Sequence, residues 1–328
     1  MAEYKGIKGF KVQYLSADPS NPIVGQTWYN STSKNLKYTE LQGGSWATGG
    51  GLTTARQEFA ALGTQTAALA AGGEVNGSPY NSNLTEEYNG SSWTGGGALP
   101  TETGGINGCG TQTAAVAGGG EVIGVGVTNS SYEYNGTAWS PTNNLNTGRY
   151  RFGTAGTQTA GLFFGGYAGP GVQNATEEYD GNSWTNGNNM ITARVSLWGD
   201  GIQTAAIAFG GGGPTGAATE LYDGTSWTTS PASLNTPRGA LAGAGTQTAA
   251  VAFGGNAPGS PPITTATEEY NGISWATSPA SMSTARSALG GAGTQASALA
   301  FGGTTGTRQT ATEEWTGPGP ATKTITVS

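Results

Sequence analysis

The chain has 328 residues, including 59 Gly and no His, and its formal net charge is −7. An acidic chain has no basic surplus for binding the phosphate backbone, so we expect no nucleic-acid partner. The lack of His excludes a Ser-His-Asp triad and His-ligated zinc or copper, and four scattered Asp residues do not predict a calcium loop. We therefore expect no cofactor and no metal.

The first segment, residues 1–44, contains three strand-like stretches at 11–15, 26–29 and 36–39. Charges at Glu3 and Lys5 occupy the place where a signal peptide has its apolar segment, so we expect no leader. No later apolar run approaches the roughly 18 residues of a membrane span, so no membrane insertion is expected. The single cysteine, Cys109, cannot form an internal disulfide and is expected to pack as a small apolar side chain.

A repeat begins after this segment. Its first phrase, from Gly63 to the pair Gly72-Gly73, recurs six times with its Gln spaced by 44 to 48 residues. A second phrase, from Thr85 to Trp93, follows each copy and is cut short in the last one. An Arg stands nine residues before the Gln in five copies: Arg56, Arg149, Arg194, Arg238 and Arg286. A period near 45 residues predicts propeller blades.

Each repeat divides into four short predicted strands, called a to d in chain order. In the fifth copy strand a is rich in small residues, strand b is the apolar run 248–253, and strand c is the alternating stretch 266–270. Asn271-Gly272 then predicts a tight hairpin into strand d, which contains Trp275. The sequence thus predicts an all-β fold of four-stranded blades over residues 45–328.

The fifth copy resembles the kelch family, because Pro237-Arg238, the pair Gly254-Gly255, Tyr270 and Trp275 follow in that family's order. The resemblance covers residues 45–315 and implies a kelch-like β-propeller. The chain departs from the kelch pattern because it lacks the His common after the Arg, and it uses Asn-Gly where kelch repeats often have Asp-Pro.

Two ways of closing the ring remain open. Trp46 has the spacing of a strand d whose own blade began elsewhere, which favours six blades with the N-terminal strand completing the last one. In the alternative, residues 1–48 form a seventh blade and the stretch 322–327 completes the sixth.

A looser resemblance carries the functional expectation. The segment from Gly25 to Tyr38 resembles a hairpin frequent in phage tail and fibre proteins, and the Gly/Thr/Ala-rich repeats resemble those of structural proteins from marine bacteriophages. This resemblance implies a non-enzymatic protein on the virion surface, on tail or capsid, with other virion proteins as partners. The alternatives are a soluble lectin-like or protein-interaction propeller and, third, a polysaccharide-active enzyme.

The candidate binding face is the one formed by the loops between strands b and c, which vary from 7 to 11 residues while the hairpins at the other end are constant in length. Aromatic rings, amides and guanidinium groups on these loops and on the d–a linkers suit a host-surface glycan. The candidate ligand-binding residues are Tyr80, Asn81, Asn83, Arg149, Tyr150, Arg151, Tyr167 and Arg308.

Two repeated features have competing interpretations. The five Arg residues could bind an anion, but the favoured interpretation pairs each with a loop carbonyl or with a Glu of strand c. Adjacent carboxylates such as Glu86-Glu87 suggest a glycosidase, but neighbours on a strand point to opposite faces and cannot flank one bond. No catalytic residue is therefore predicted.

Overall fold

A computed structural model describes residues 12–78, 80–212, 216–258 and 262–325. Within these ranges every regular element is a β-strand. The chain divides into two compact units, one of residues 1–45 with 317–328 and one of residues 46–316. Lys11 of the first predicted strand and Thr326 and Val327 of the last lie outside the described residues.

The part of the second unit that the structure describes contains six four-stranded sheets, each ordered a-b-c-d. The strands of sheets 1 to 3 are Ala60–Thr64, Ala67–Ala71, Thr85–Tyr88 and Trp93–Gly95; Asn107–Thr111, Ala114–Gly118, Ser131–Tyr134 and Trp139–Thr142; Gly153–Thr157, Ala160–Phe164, Thr176–Tyr179 and Trp184–Gly187. Those of sheets 4 to 6 are Trp198–Ile202, Ala205–Phe209, Thr219–Tyr222 and Trp227–Thr229; Ala242–Thr246, Ala249–Phe253, Thr267–Tyr270 and Trp275–Thr277; Gly290–Thr294, Ser297–Phe301, Thr312–Thr316 and Ser45–Gly49.

The predicted all-β class and the four strands per repeat are confirmed, and the architecture is consistent with a β-propeller. Strands a to c are antiparallel throughout, as in the register Val251↔Glu269 of sheet 5. Strand d of sheet 6 is the N-terminal Ser45–Gly49. The C-terminal Gly319–Thr324 pairs instead with Asn35–Gln42, whereas the seven-blade alternative assigned 322–327 to sheet 6.

The first unit forms its own four-stranded sheet from Gln13–Leu15, Thr27–Asn30, Asn35–Gln42 and Gly319–Thr324, in that order. Asp18 ties this sheet together, accepting hydrogen bonds from the Trp28 indole at 3.0 Å and from Asn30 at 2.6 Å and pairing with Lys37 at 2.6 Å. These partners, Lys37 first, lower the pKa of Asp18 to about 2. Several large apolar side chains of this unit are exposed, including Tyr14 and Leu41.

Among the described residues, three two-stranded ladders branch from the loops of the second unit. They are Arg56–Gln57 with Glu74–Val75, Glu121–Val122 with Gly126–Val127, and Tyr167–Ala168 with Gly171–Val172. The first ladder joins the linker before strand a of sheet 1 to the loop after its strand b. The other two are hairpins within the b–c loops of sheets 2 and 3. The loops between strands b and c of sheets 1 to 3 are therefore partly ordered by backbone pairing.

The apolar interior of the second unit follows the repeat. The central residue of each strand b is completely buried, namely Leu69, Val116, Leu162, Ile207, Val251 and Leu299. Burying one such side chain stabilises the fold by roughly 1.5–3 kcal/mol. The strand d Trp residues pack between sheets, as where Trp93 of sheet 1 lies 4.8 Å from the ring of Phe301 in sheet 6.

Two side chains, a Gln and a Trp, hydrogen-bond each sheet to the preceding one. The repeat Gln donates from Nε2 to two backbone carbonyls of the neighbour, as Gln112 does to Ala68 at 2.9 Å and Tyr88 at 2.7 Å. Each buried strand d Trp donates its indole N–H to a Thr or Ser at the start of strand c, as Trp139 does to Thr85 at 2.9 Å. Gln65 makes the same bonds from sheet 1 to sheet 6.

Candidate functional site

The repeated Arg residues, predicted either as anion-binding groups or as structural groups, are structural. Arg149 is fully buried, and its guanidinium donates to the carbonyls of Gly165 at 3.1 Å and Ala175 at 2.7 Å and pairs with Glu177 at 2.6 Å. The other four make the same set of contacts with the first Glu of their strand c. Burial lowers the pKa of these guanidinium groups, and the Glu partner opposes that shift. Arg149 thus offers no exposed donor to a ligand.

The carboxylate pairs of strand c are divided between two structural roles. The first Glu of each pair is buried against the Arg, and it also accepts backbone N–H groups of the d–a linker, as Glu86 does from Thr53 at 2.6 Å. In three of the four pairs the second Glu accepts the phenol of a Tyr in the next sheet, as Glu87 does from Tyr134 at 2.5 Å. Glu269 is the exception, because Trp315 takes the place of that Tyr in sheet 6. Burial raises the pKa of Tyr134 to about 12, and the bond to Glu87 adds to that shift.

Six backbone N–H groups form a closed cycle at the start of the a strands. Gly105 donates to Glu58 at 2.8 Å, Arg151 to Gly105 at 3.1 Å and Ser196 to Arg151 at 2.8 Å. The cycle continues through Ala240 and Ala288 and returns to the carbonyl of Ala288 from the N–H of Glu58 at 3.1 Å. This set is called the amide ring.

All six members of the amide ring have positive φ, between 50° and 64°, although only one is Gly. That conformation costs roughly 1–2 kcal/mol for each L-residue, and it persists where surrounding bonds over-determine it. The ring therefore stores strain at one repeated position, which is typical of a functional surface.

The loop face around this ring is asymmetric. In most repeats two residues beside the amide ring form a backbone β-bridge with each other. One precedes the ring member in sequence, and the other follows the Gly-Gly pair. In sheets 1 to 3 the pairs are Gln57 with Glu74, Gly104 with Glu121 and Tyr150 with Tyr167. The corresponding residues of sheets 4 to 6 are Val195 and Gly212, Gly239 and Asn256, and Ser287 and Thr304. Charged and aromatic side chains thus occupy one half of the face.

The structure brings Tyr150, Arg151 and Tyr167 together. The rings of Tyr150 and Tyr167 lie 5.4 Å apart, and the Arg151 guanidinium lies 5.5 Å from the centroid of Tyr150. Arg151 also pairs with Glu58 at 2.6 Å, and its side chain remains 40% exposed. Burial raises the pKa of Glu58, and Arg151 opposes that shift.

Tyr80 and Arg308 form a second pair, from sheets 1 and 6. The guanidinium lies 4.0 Å from the Tyr80 ring centroid and bonds Glu74 at 3.1 Å. Asn81 is buried and donates to the carbonyl of Glu121 at 2.7 Å. Asn83 does not join either pair through its side chain; its carbonyl accepts the N–H of Leu99 at 2.8 Å.

Sequence reasoning missed Glu58, Glu74 and Glu121, which accompany the candidate residues on this half of the face. Their signal was their position in the repeat, because each occupies a place that is Gly, Ala, Ser, Asn or Thr in sheets 4 to 6.

A cavity of about 140 Å³ is lined by the a strands. Its walls are mostly Gly and Ala, but Asp200 lines it at a position that is apolar in the other repeats. Burial raises the pKa of Asp200 well above its usual range, partly opposed by the Trp198 indole N–H at 3.1 Å and the Gly245 amide. Trp198 also lines a smaller cavity of about 70 Å³, which is bordered by all six residues of the amide ring.

The described ranges contain no group of three or more His, Cys, Asp or Glu residues arranged to hold a metal ion. They also contain no helix with the length and apolar character needed to cross a membrane.

Comparison with known proteins gives no family assignment. A scan against protein-family models found no match, and a search of curated proteins found no significant relative.

Proposed function

We propose that residues 46–316 form a closed, kelch-like propeller of six blades. Three cyclic sets of contacts support this arrangement: the amide ring, the Gln bonds and the strand d Trp bonds each link sheet 6 to sheet 1. Strand a of each sheet also lies against strand a of the next, and that of sheet 6 lies against that of sheet 1. The kelch-like order of Arg, Gly-Gly, Tyr and Trp in the sequence favours the same arrangement.

We propose a non-enzymatic role for this propeller, as a display and binding protein. A glycosidase would need free carboxylates as its catalytic groups, and the repeated Glu residues of strand c are the candidates for that role. Each first Glu is engaged by Arg and backbone amides, and most second Glu residues by the phenol of a neighbouring sheet. These side chains act as ties within and between blades.

The observation that carries the binding role is the asymmetry of the loop face. A repeat protein without a ligand has no reason to concentrate aromatic and charged side chains on adjacent repeats, and departures from the repeat on loops are typical of binding surfaces. We propose that the face of sheets 6, 1, 2 and 3 contacts a host surface or its glycans.

The location proposed for the protein is the surface of a phage virion, on tail or capsid, where other virion proteins would hold it. The resemblance of residues 25–38 and of the repeats to phage structural proteins supports this location. A soluble lectin-like or protein-interaction propeller is the alternative, and it would use the same face.

Two measurements test the proposal. Mass spectrometry and cryo-electron microscopy of purified source particles should find the chain in stoichiometric copies, whereas recovery only in the soluble fraction would overturn the virion location. Binding of the labelled protein to host cells should fall in the double variant Glu121→Ala/Tyr167→Ala. The matched control is Val195→Ala/Asn256→Ala, which changes the positions bordering the amide ring in sheets 4 and 5, on the other half of the face. Equal binding by both variants would contradict the binding role.

A further inference from the structure

An open groove lies between the Tyr80 loop of sheet 1 and a hairpin of sheet 2. Its volume is about 520 Å³, within the range of about 300–1,000 Å³ for small-ligand sites. Tyr80, Asn81 and Glu74 line one side, and the hairpin from Glu121 to Gly126 lines the other. Backbone bonds fix both walls, since the N–H of Val75 bonds the carbonyl of Tyr80 at 2.8 Å and the hairpin is itself paired.

The Tyr80 ring is arranged for stacking. It is 46% exposed, although the Arg308 guanidinium covers one of its faces. Since Arg308 is itself held by Glu74, the ring is supported from behind and its free surface points away from that contact. An exposed, supported aromatic ring is the group that proteins use to contact the apolar face of a flat ligand.

The charges of the groove select against anionic ligands. The ionisable groups that line it, besides the Tyr80 phenol, are the carboxylates of Glu74 and Glu121. Glu74 is paired with Arg308 through Oε2, which Gln57 also bonds, so Glu74 offers Oε1 to a ligand hydroxyl. The carboxylate of Glu121 accepts hydrogen bonds from hydroxyl groups and repels sulfate, phosphate and other carboxylates. The buried repeat Arg residues, which could have attracted an anion, are already paired.

The hairpin supplies apolar surface beside these acceptors. Ile123 and Val125 are 60% and 78% exposed, and they stand next to the exposed Glu121. A ligand with an apolar face and a rim of hydroxyl donors would match an aromatic ring, aliphatic side chains and carboxylates together.

We propose that this groove binds an uncharged pyranose ring within a neutral glycan. One face of the sugar stacks on Tyr80, its hydroxyls donate to Glu121 and Glu74, and Ile123 and Val125 cover the remaining C–H groups. The inference rests on the proposed binding role and specifies its ligand class.

A glycan array followed by calorimetry tests this inference with the full chain. The probes are neutral gluco-, manno- and galacto-oligosaccharides, with sulfated and uronic-acid oligosaccharides as the opposing class. We expect binding to neutral probes, and the affinity should be nearly equal at 0.05 M and 0.5 M NaCl because no ligand charge is screened. Binding confined to acidic probes, or no binding at millimolar ligand, would overturn the inference.

Variants locate the site. Tyr80→Ala should weaken binding by about tenfold or more, whereas Tyr80→Phe, which keeps the ring, should stay close to the parent. Glu121→Gln should weaken binding less than Tyr80→Ala, because the amide retains one acceptor oxygen. Asn256→Ala, at an exposed position of sheet 5, serves as a control away from the groove. Neutral-glycan binding that survives Tyr80→Ala would assign the site elsewhere and contradict the inference.

The two proposals fail in different ways. One outcome is that cells bind the parent but not the Glu121→Ala/Tyr167→Ala variant, while no neutral glycan binds. This outcome would support the binding face and contradict the neutral-glycan inference. If a neutral glycan binds through Tyr80 but cell binding ignores both double variants, the host-contact role falls instead.

Discussion

At the scale of single residues, the repeat uses charge where apolar side chains would be expected. Five Arg–Glu pairs lie in the interior with almost no exposed surface. Each pair satisfies linker amides and loop carbonyls that would otherwise be buried without partners. The pair thus fixes the entry of the chain into strand a and the exit from strand b in one cluster of bonds.

Glu268→Gln should destabilise the second unit by roughly 3–5 kcal/mol, because Arg238 would keep a buried charge without its counter-ion. Glu268 accepts on both oxygens, from Asn235 on Oε2 and from Arg238 on Oε1, whereas Gln offers one acceptor oxygen, so the loss combines the charge with one set of hydrogen bonds. Urea unfolding provides the measurement. The exposed Glu121→Gln is the control and should change stability by less than about 0.5 kcal/mol. A loss below about 1 kcal/mol at Glu268 would contradict this assignment.

Asp200→Asn should change the pH dependence of stability. Because the pKa of Asp200 is raised in the folded state, the protonated side chain contributes fully to the free energy of unfolding below its unfolded-state pKa of about 4. That contribution is lost as pH rises through the folded-state pKa. The Tm of the variant minus that of the parent should therefore increase between pH 5 and pH 8. The control is Asp223→Asn in an exposed turn, where hydrogen bonds from the Ser226 and Thr225 amides lower the pKa. Its difference should be flat over this range, and a flat line for Asp200→Asn would contradict the prediction.

At the scale of elements, tight packing between strands a and b depends on the absence of a side chain at certain positions. Gly110 has a φ of +116°, and a Cβ there would stand 2.3 Å from the carbonyl oxygen of Ala114. Gly124, in the hairpin of sheet 2, has a φ of +81° and nothing within 4 Å of such a Cβ. The two positions therefore separate backbone strain from steric overlap.

Gly124→Ala should cost about 1 kcal/mol, from the positive φ alone. Gly110→Ala should cost more than about 3 kcal/mol, because strands a and b of sheet 2 would have to separate around the added methyl. Thermal or urea unfolding of the two variants measures the difference. Similar losses of unfolding free energy in both variants would mean that strands a and b of sheet 2 can separate at little cost, and would contradict the prediction.

At the scale of the whole molecule, the two units require different parts of the chain. The second unit takes strand d of its sixth sheet from Ser45–Gly49, far in sequence from its other three strands. Trp46 of this strand donates its indole N–H to Thr267 at 2.9 Å and packs 5.1 Å from Phe253 and 5.3 Å from Trp315. This strand therefore ties the sixth sheet to the fifth and covers an edge.

Truncation to residues 45–316 should leave a folded second unit. Truncation to residues 51–316 removes the Trp46 strand, so its Tm should be lower by at least about 10 °C and the uncovered strand c of sheet 6 should promote association. Differential scanning calorimetry and light scattering of the two fragments measure these effects. Equal Tm values would show that the strand is dispensable and would contradict six-blade closure.

Local pattern determined most of the fold. The period near 45 residues, the apolar run of strand b and the Asn-Gly turns depend on neighbouring residues, so the sequence by itself predicted all-β structure with four strands per repeat. The predicted ends differ from the observed ones by a residue or two, as for strand b of sheet 5, because hydrogen-bond partners set the last residue. The structural interpretation of the Arg residues could also be reached, since a Glu of strand c follows each Arg by 26 to 30 residues.

Only the tertiary structure decided which polar groups meet. Glu58 and Arg151 are 93 residues apart in sequence, and Glu74 and Arg308 are 234 apart. Their pairing depends on the relative placement of repeats, which no local periodicity encodes. The groove could not be predicted for the same reason, since its walls come from two loops whose lengths and sequences are not repeated. The sequence determined the structure of each repeat because the contacts within a repeat are local. The charged and aromatic half of the face depends on contacts between different repeats.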